Sequence, residues 1–161
     1  MRAREEFNNL MPIINEQWVA KVLGLKWNPS GIDVIGDKCV VEVKFSLPRE
    51  PSWTVLEYQM AYAEQNSDKN AYWGLGIYHL KKEVDIIEKE ENLEKLVLTR
   101  ELWLVDWNWM NQFSPSDTKC NGLLRYPKIK LLPQATETYK IFKGKIHLTQ
   151  SVNLGDFPAL S

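Results

Sequence analysis

Asp33, Glu42 and Lys44 fall within one short stretch of the chain, GIDVIGDKCVVEVKFS, residues 31–46. The flanking pattern is that of strands, and strand centres disfavour Asp, Glu and Lys. Buried charges are costly unless they are paired or bound to a metal. Two carboxylates and an ammonium are also a working set of parts. Mg²⁺ is held by one or two carboxylates and keeps several waters. Such an ion activates water and stabilises charge on a phosphodiester transition state. A neighbouring lysine can orient the attacking water or neutralise developing charge.

The strands must bring these groups together. A two-residue loop at Gly36-Asp37 suits a hairpin, because glycine accepts the positive φ needed there. That turn pairs Ile35 with Lys38, Val34 with Cys39 and Asp33 with Val40. Side chains alternate between faces. Asp33, Val40, Glu42 and Lys44 then share one face, and Val34, Cys39, Val41, Val43 and Phe45 share the other, the expected core side. Asp33 and Glu42 become diagonal neighbours about 7–8 Å apart at Cα. The expected metal ligands are Asp33, Glu42 and the Val43 carbonyl, with Lys44 one pleat beyond. Ser46, on the same face, would bond a phosphate or cap the strand.

Around the hairpin, Pro12 suits the first turn of a helix ending at Gly24, with a separate helical turn at 2–10. LKWN (25–28) reads as a short strand and LPREPS (47–52) as a loop. Residues 53–66 read as a helix and 71–80 as an aromatic strand. Residues 81–96 read as an exposed acidic helix. Residues 100–110 read as a strand with Trp103, Val105, Trp107 and Trp109 on one face. Beyond 111 the chain reads as irregular until a hairpin over 138–149 turning at Lys143-Gly144. The expected architecture is α/β with a mixed sheet, divided into a core at 1–110 and a C-terminal basic β extension at 111–161.

The 161 residues fit one compact domain with an extension. No apolar run reaches the ~18–20 residues of a membrane span. The N-terminal MRAREEFNNL carries acids where a signal peptide is apolar, so a cytoplasmic protein with no membrane association is expected. Cys39 and Cys120 form no CxxC pair; Cys39 reads as core, and neither a disulfide framework nor a structural zinc site is expected. Charge is uneven. Residues 1–118 hold 13 basic and 19 acidic side chains, a balance of −6, whereas 119–161 hold 7 basic and 2 acidic, a balance of +5. Lys128, Lys130, Lys140, Lys143 and Lys145 are therefore the expected phosphate contacts, with Arg49 in the 47–52 loop as the other source of charge. Of the seven tryptophans, Trp103, Trp107 and Trp109 fit either stacking on unpaired bases or a core or dimer contact. His79 and His147 lack a ligand pattern and read as structural.

The strand Asp followed by Glu42-Val43-Lys44 resembles the PD-(D/E)xK nucleases. The closest motif likeness is to the archaeal Holliday-junction resolvases, over roughly residues 12–80. Ile32 replaces the proline of the family name. The resemblance implies a restriction-endonuclease-like αβββαβ core, Mg²⁺ or Mn²⁺ as cofactor, DNA as substrate and a homodimer. It also implies a helix-one glutamate at the metal. Glu16 is the candidate ahead of Glu5 and Glu6, although it lies opposite the stripe Ile14, Trp18, Val22 and Leu25 and would otherwise face solvent. Gln59 matches a glutamine that some relatives place near the substrate; its other reading is a helix-surface residue. The function expected is a metal-dependent DNA endonuclease, structure-specific or directed to sequences or ends. The alternative is a catalytically inert nuclease-fold domain that binds nucleic acid or a protein partner.

Overall fold

The computed structural model describes residues 4–117 and 122–160. In chain order it contains α1 (Arg4–Leu23), β1 (Lys26–Trp27), β2 (Val34–Ile35), β3 (Cys39–Ser46), β4 (Ser52–Leu56), α2 (Tyr62–Gln65), β5 (Asn70–Leu80), α3 (Leu93–Leu96), β6 (Val97–Asp106), β7 (Ser116–Asp117), β8 (Leu123–Pro127), α4 (Lys128–Leu131), β9 (Glu137–Ile141) and β10 (Gly144–Leu148). Seven strands form a mixed sheet in the order β1-β2-β3-β5-β6-β10-β9, and β4-β8-β7 form a small antiparallel sheet. The α/β class and the mixed sheet follow the sequence reading. Among the described residues no helix is long and apolar enough to cross a membrane.

The main sheet is covered on both faces. On one, Val41 and Val43 pack with Trp18, Val19 and Leu23 of α1, joined by Phe157. On the other, Val40 and Trp73 pack with Trp53 and Val55 of β4 and Tyr126 of β8. The face bearing Glu42 was therefore not free, as a single core side would have left it. The second sheet lies over it. That sheet was invisible locally, because residues 53–56 pair with 123–126, far along the chain. Trp53 and Val55 alternate inward with Thr54 outward, a strand pattern in place of the expected helix over 53–66. Only a 3-10 turn at Glu57–Ala61 and the single turn of α2 follow.

Helix α1 also departs from expectation. It runs unbroken through Pro12 from Arg4. Phe7 and Met11 are buried against Tyr78, Val84, Ile87 and Leu93, and that packing carries the first turns past the proline. The buried stripe is Phe7, Met11, Asn15, Trp18, Val19 and Leu23, with Ile14 and Val22 half-buried. Gly24 ends the helix at φ +73°, a left-handed conformation that glycine takes at no steric cost. The acidic stretch 81–96 is mostly irregular, with a 3-10 turn at Val84–Ile86 and α3 capped by the Asn92 side chain. Of its buried anchors Val84, Ile87 and Leu93, the last is out of helical phase with the first two. Strand β6 stops at Asp106, so Trp107 and Trp109 sit in a 3-10 turn, where Trp107 stacks on Trp73 at 4.0 Å.

The segment after residue 111 supplies β8 to the covering sheet and β9 and β10 to the main sheet, where β10 runs parallel to β6. The hairpin turns at Phe142-Lys143, one residue earlier than expected, with Gly144 opposite Ile141. Cys39 is a free, buried thiol, as expected; Cys120 lies outside the described residues.

Candidate active site

Strands β2 and β3 pair Ile35 with Val40 and Val34 with Val41. The loop is thus Asp37-Lys38, closed by Gly36 N–H donating to the Cys39 carbonyl at 2.8 Å. The register is offset by two residues from that expected. An even offset keeps every side chain on its face, and it moves Asp33 from a diagonal position to one directly opposite Glu42.

Asp33 lies just before β2, where the ladder opens. Its Oδ2 accepts the Val43 N–H at 2.8 Å, and its own N–H donates to Glu42 Oε1 at 3.2 Å. Val43 N–H points toward β2, and in a strand a residue's C=O points the same way. The Val43 carbonyl therefore faces the opened edge where Asp33 sits. Lys44 Nζ stands 3.5 Å from Glu42 Oε2. Glu16 reaches the same edge from α1, held by the Trp27 indole N–H donating to its Oε1 at 3.1 Å. The position of α1 is in turn fixed by Asn15, whose Oδ1 accepts from buried Arg100 at 2.9 Å. Arg100 also forks onto Glu94 at 2.9 and 2.7 Å and lies over the Trp18 ring.

Glu42 is fully buried, and its Oε2 has no hydrogen-bond partner. Desolvation dominates the electrostatics. Burial, and then the neighbouring Glu42 charge, pushes the Asp33 carboxyl up to about 8. Burial followed by the Asp33 charge raises Glu16 to about 7. Glu42 is raised by burial too, against the opposing Lys44 ammonium. Asp33 and Glu42 thus oppose each other's burial in the charged form, with the Glu42 charge acting against ionisation of Asp33. Protonation is how buried carboxylates that outnumber their cations avoid the cost of charge.

A divalent cation would relieve the same strain. Among the described residues no three His, Cys, Asp or Glu side chains form a ready-made metal cage. The orphaned Glu42 oxygen, the Asp33 carboxylate and the Val43 carbonyl do fit the smaller ligand set of Mg²⁺, which keeps its remaining positions for water.

Gln59 is buried, and its Oε1 accepts the Leu56 N–H at 2.9 Å, capping the 3-10 turn. Ser46 shares the face of Glu42 but is buried, its Oγ unpartnered. Arg49 is on the surface, paired with Glu83 at 3.2 Å. Lys128 is buried: its Nζ donates to the Leu47 carbonyl at 2.7 Å and faces the Trp53 ring. It holds the loop at 47 rather than presenting charge, and burial lowers its pKa. Lys130, Lys140, Lys143 and Lys145 are exposed. The last three occupy the β9–β10 hairpin, with Lys140 directly opposite Lys145. Four strand spacings separate β9 from β3, roughly 19 Å at ~4.8 Å each.

Sequence reasoning missed Trp27 as the partner of Glu16, and no local signal marks it. Tyr62 stands three residues after Gln59. Burial, and then the Glu42 charge, pushes its hydroxyl up to about 12. His147, expected to be structural, bonds Glu101 at 2.9 Å and stacks on Trp103. Comparison with family models, curated proteins and solved structures finds no match to this chain.

Proposed function

We propose that this protein is a metal-dependent nuclease that hydrolyses DNA phosphodiester bonds, with Mg²⁺ or Mn²⁺ as cofactor. One observation carries the reading. The buried Glu42 Oε2 has no hydrogen bond and only the Lys44 ammonium at 3.5 Å, and it lies across from Asp33, a placement that stabilises a fold poorly and suits a cation well. The strand order supports it. Helix α1, the β1–β2–β3 strands and a β5 parallel to β3 follow the αβββαβ order of the nuclease core the motif resembles. The departure is in the β3–β5 crossover, where β4 and short helical turns replace a full helix.

Asp33, Glu42 and the Val43 carbonyl would hold the cation. Bound there, it would supply an activated water and charge neutralisation at the phosphate. Glu16, kept in place by Trp27 at the same edge, would be the carboxylate available to take a proton from that water. Lys44 places positive charge where the phosphate's negative charge grows. The hairpin lysines attract the DNA backbone, which the acidic site alone would repel.

The test is incubation with Mg²⁺, Mn²⁺ or EDTA and a panel of labelled single-stranded, linear duplex and branched DNAs. Metal-dependent products are expected from at least one. DNA binding without cutting under any metal would favour the inert binding-domain alternative.

A further inference from the structure

A cavity of about 210 Å³ opens between α1 and β3, and Glu16 and Val43 belong both to its wall and to the carboxylate site. At ~30 Å³ per water this is the space of about seven waters. It suits a single planar ring system better than a larger ligand. Its apolar wall combines three aromatic rings with Met11, Pro12 and Val43. Phe45 and Tyr78 meet edge-on, with ring centroids 6.2 Å apart, and Phe7 joins them. Gly76 makes this wall possible, because a Cβ there would lie 2.3 Å from the Phe45 ring.

The polar lining has a definite sign. Asn8, Asn15, Glu16 and Glu50 line the cavity, and no lysine or arginine does. A phosphate would meet two carboxylates and no cation. A neutral ring would meet aromatic surface and hydrogen-bonding groups. The Asn15 oxygen is taken by Arg100, which leaves its amide N–H₂ as a donor. Pro12 also lines the cavity and lies inside α1. Having no N–H, it leaves the Asn8 carbonyl without its usual helical donor, adding an acceptor at the rim. An aromatic wall with donors and acceptors at its edge is how proteins hold a base removed from its stack.

We propose that this cavity seats one unpaired nucleobase of the strand whose phosphate lies at the carboxylate site. The inference rests on the nuclease reading and names its substrate class: DNA with an unpaired nucleotide beside the cut, as in a single strand or an open end. Fully paired duplex cannot fill the cavity without extruding a base.

Two readouts separate the pocket from the chemistry. The first is an abasic scan along a single-stranded oligonucleotide cut in Mn²⁺. The second is quenching of 2-aminopurine in such an oligonucleotide, which reports base capture whether or not the strand is cut. Asn8→Phe fills the cavity from its exposed mouth, and Asn9→Phe alters the exposed neighbouring position, which does not line it. For wild type and Asn9→Phe, an abasic nucleotide at one position beside the cut should lower kcat/KM at least tenfold. Both proteins should also quench the probe. Asn8→Phe should lose both effects and cut intact strand as slowly as wild type cuts the abasic one. A flat abasic scan, or equal quenching by all three proteins, would overturn the pocket while leaving cleavage standing. Quenching by wild type and Asn9→Phe alone, with no cutting in either metal, would keep the pocket and sink the nuclease reading. Neither quenching nor cutting would remove both.

Discussion

Asp33 lies directly across from Glu42, and its main-chain N–H donates to Glu42 Oε1 at 3.2 Å while its carboxylate takes the Val43 N–H at 2.8 Å. One residue at an opened strand end thus fixes both acids. Glu42 Oε2 is left buried with no hydrogen bond and with the Lys44 ammonium at 3.5 Å. Two carboxylates held so close disfavour each other's charge unless a cation arrives.

The pH dependence of the metal-free protein follows. Asp33 rises from 3.8 to about 8, Glu16 from 4.5 to about 7, and Glu42 also rises. Between pH ~4 and ~8 the folded state therefore binds more protons than the unfolded state. Stability should be fullest below pH ~4 with respect to these groups, fall as pH rises, and level off above ~8. Urea midpoints in EDTA at pH 5 and 8.5 measure this. Asp33→Asn should flatten the decline. Added Mn²⁺ should act in the opposite sense, stabilising wild type more at pH 8.5 than at pH 5, because binding requires the ionised carboxylates.

The chemically suggestive face was legible because strand alternation survives an even register error. The loop is Asp37-Lys38 rather than Gly36-Asp37, yet Asp33, Glu42 and Lys44 still share a face. The place of Glu16 was half legible: helical spacing set it off the main stripe, but only Trp27 and the opened edge of β3 turn it toward Asp33. Strand β4 was unreadable locally, because Trp53 and Val55 are satisfied by Tyr126 and Leu124. Lys128 shows the same limit. Nothing in KIK foretells an ammonium folded under the Leu47 carbonyl.

The frame behind the site should be costly to break. Buried Arg100 joins α1 to α3 through Asn15 and Glu94. Arg100→Ala leaves the Asn15 oxygen buried without its donor, and a loss of about 2–4 kcal/mol is expected. Glu94→Ala should cost less, because Glu94 is about half exposed. Denaturant midpoints of the two variants check the order.

DNA attraction should belong to the β9–β10 hairpin. Lys140 faces Lys145 across the strands, and Lys143 sits at the turn with φ 57°. Like charges set opposite each other are unfavourable alone and favourable against phosphate. Replacing Lys140, Lys143 and Lys145 together by Ala should reduce the slope of log affinity against log salt by about 2–3. An unchanged slope would move the DNA path elsewhere, with Arg49 the next candidate.

On the nuclease proposal, Lys44 and the buried acids form a metal-dependent phosphodiesterase centre. Single-turnover cleavage of a labelled DNA by wild type and Lys44→Ala, at saturating Mn²⁺ and with metal binding followed in parallel, tests it most directly. The expected result is metal-dependent cutting by wild type. Lys44→Ala should be slower by on the order of 10²–10³, as for loss of one transition-state charge contact, while still folded and binding Mn²⁺. Cutting by Lys44→Ala at the wild-type rate, or cutting by wild type that persists in EDTA, would contradict it.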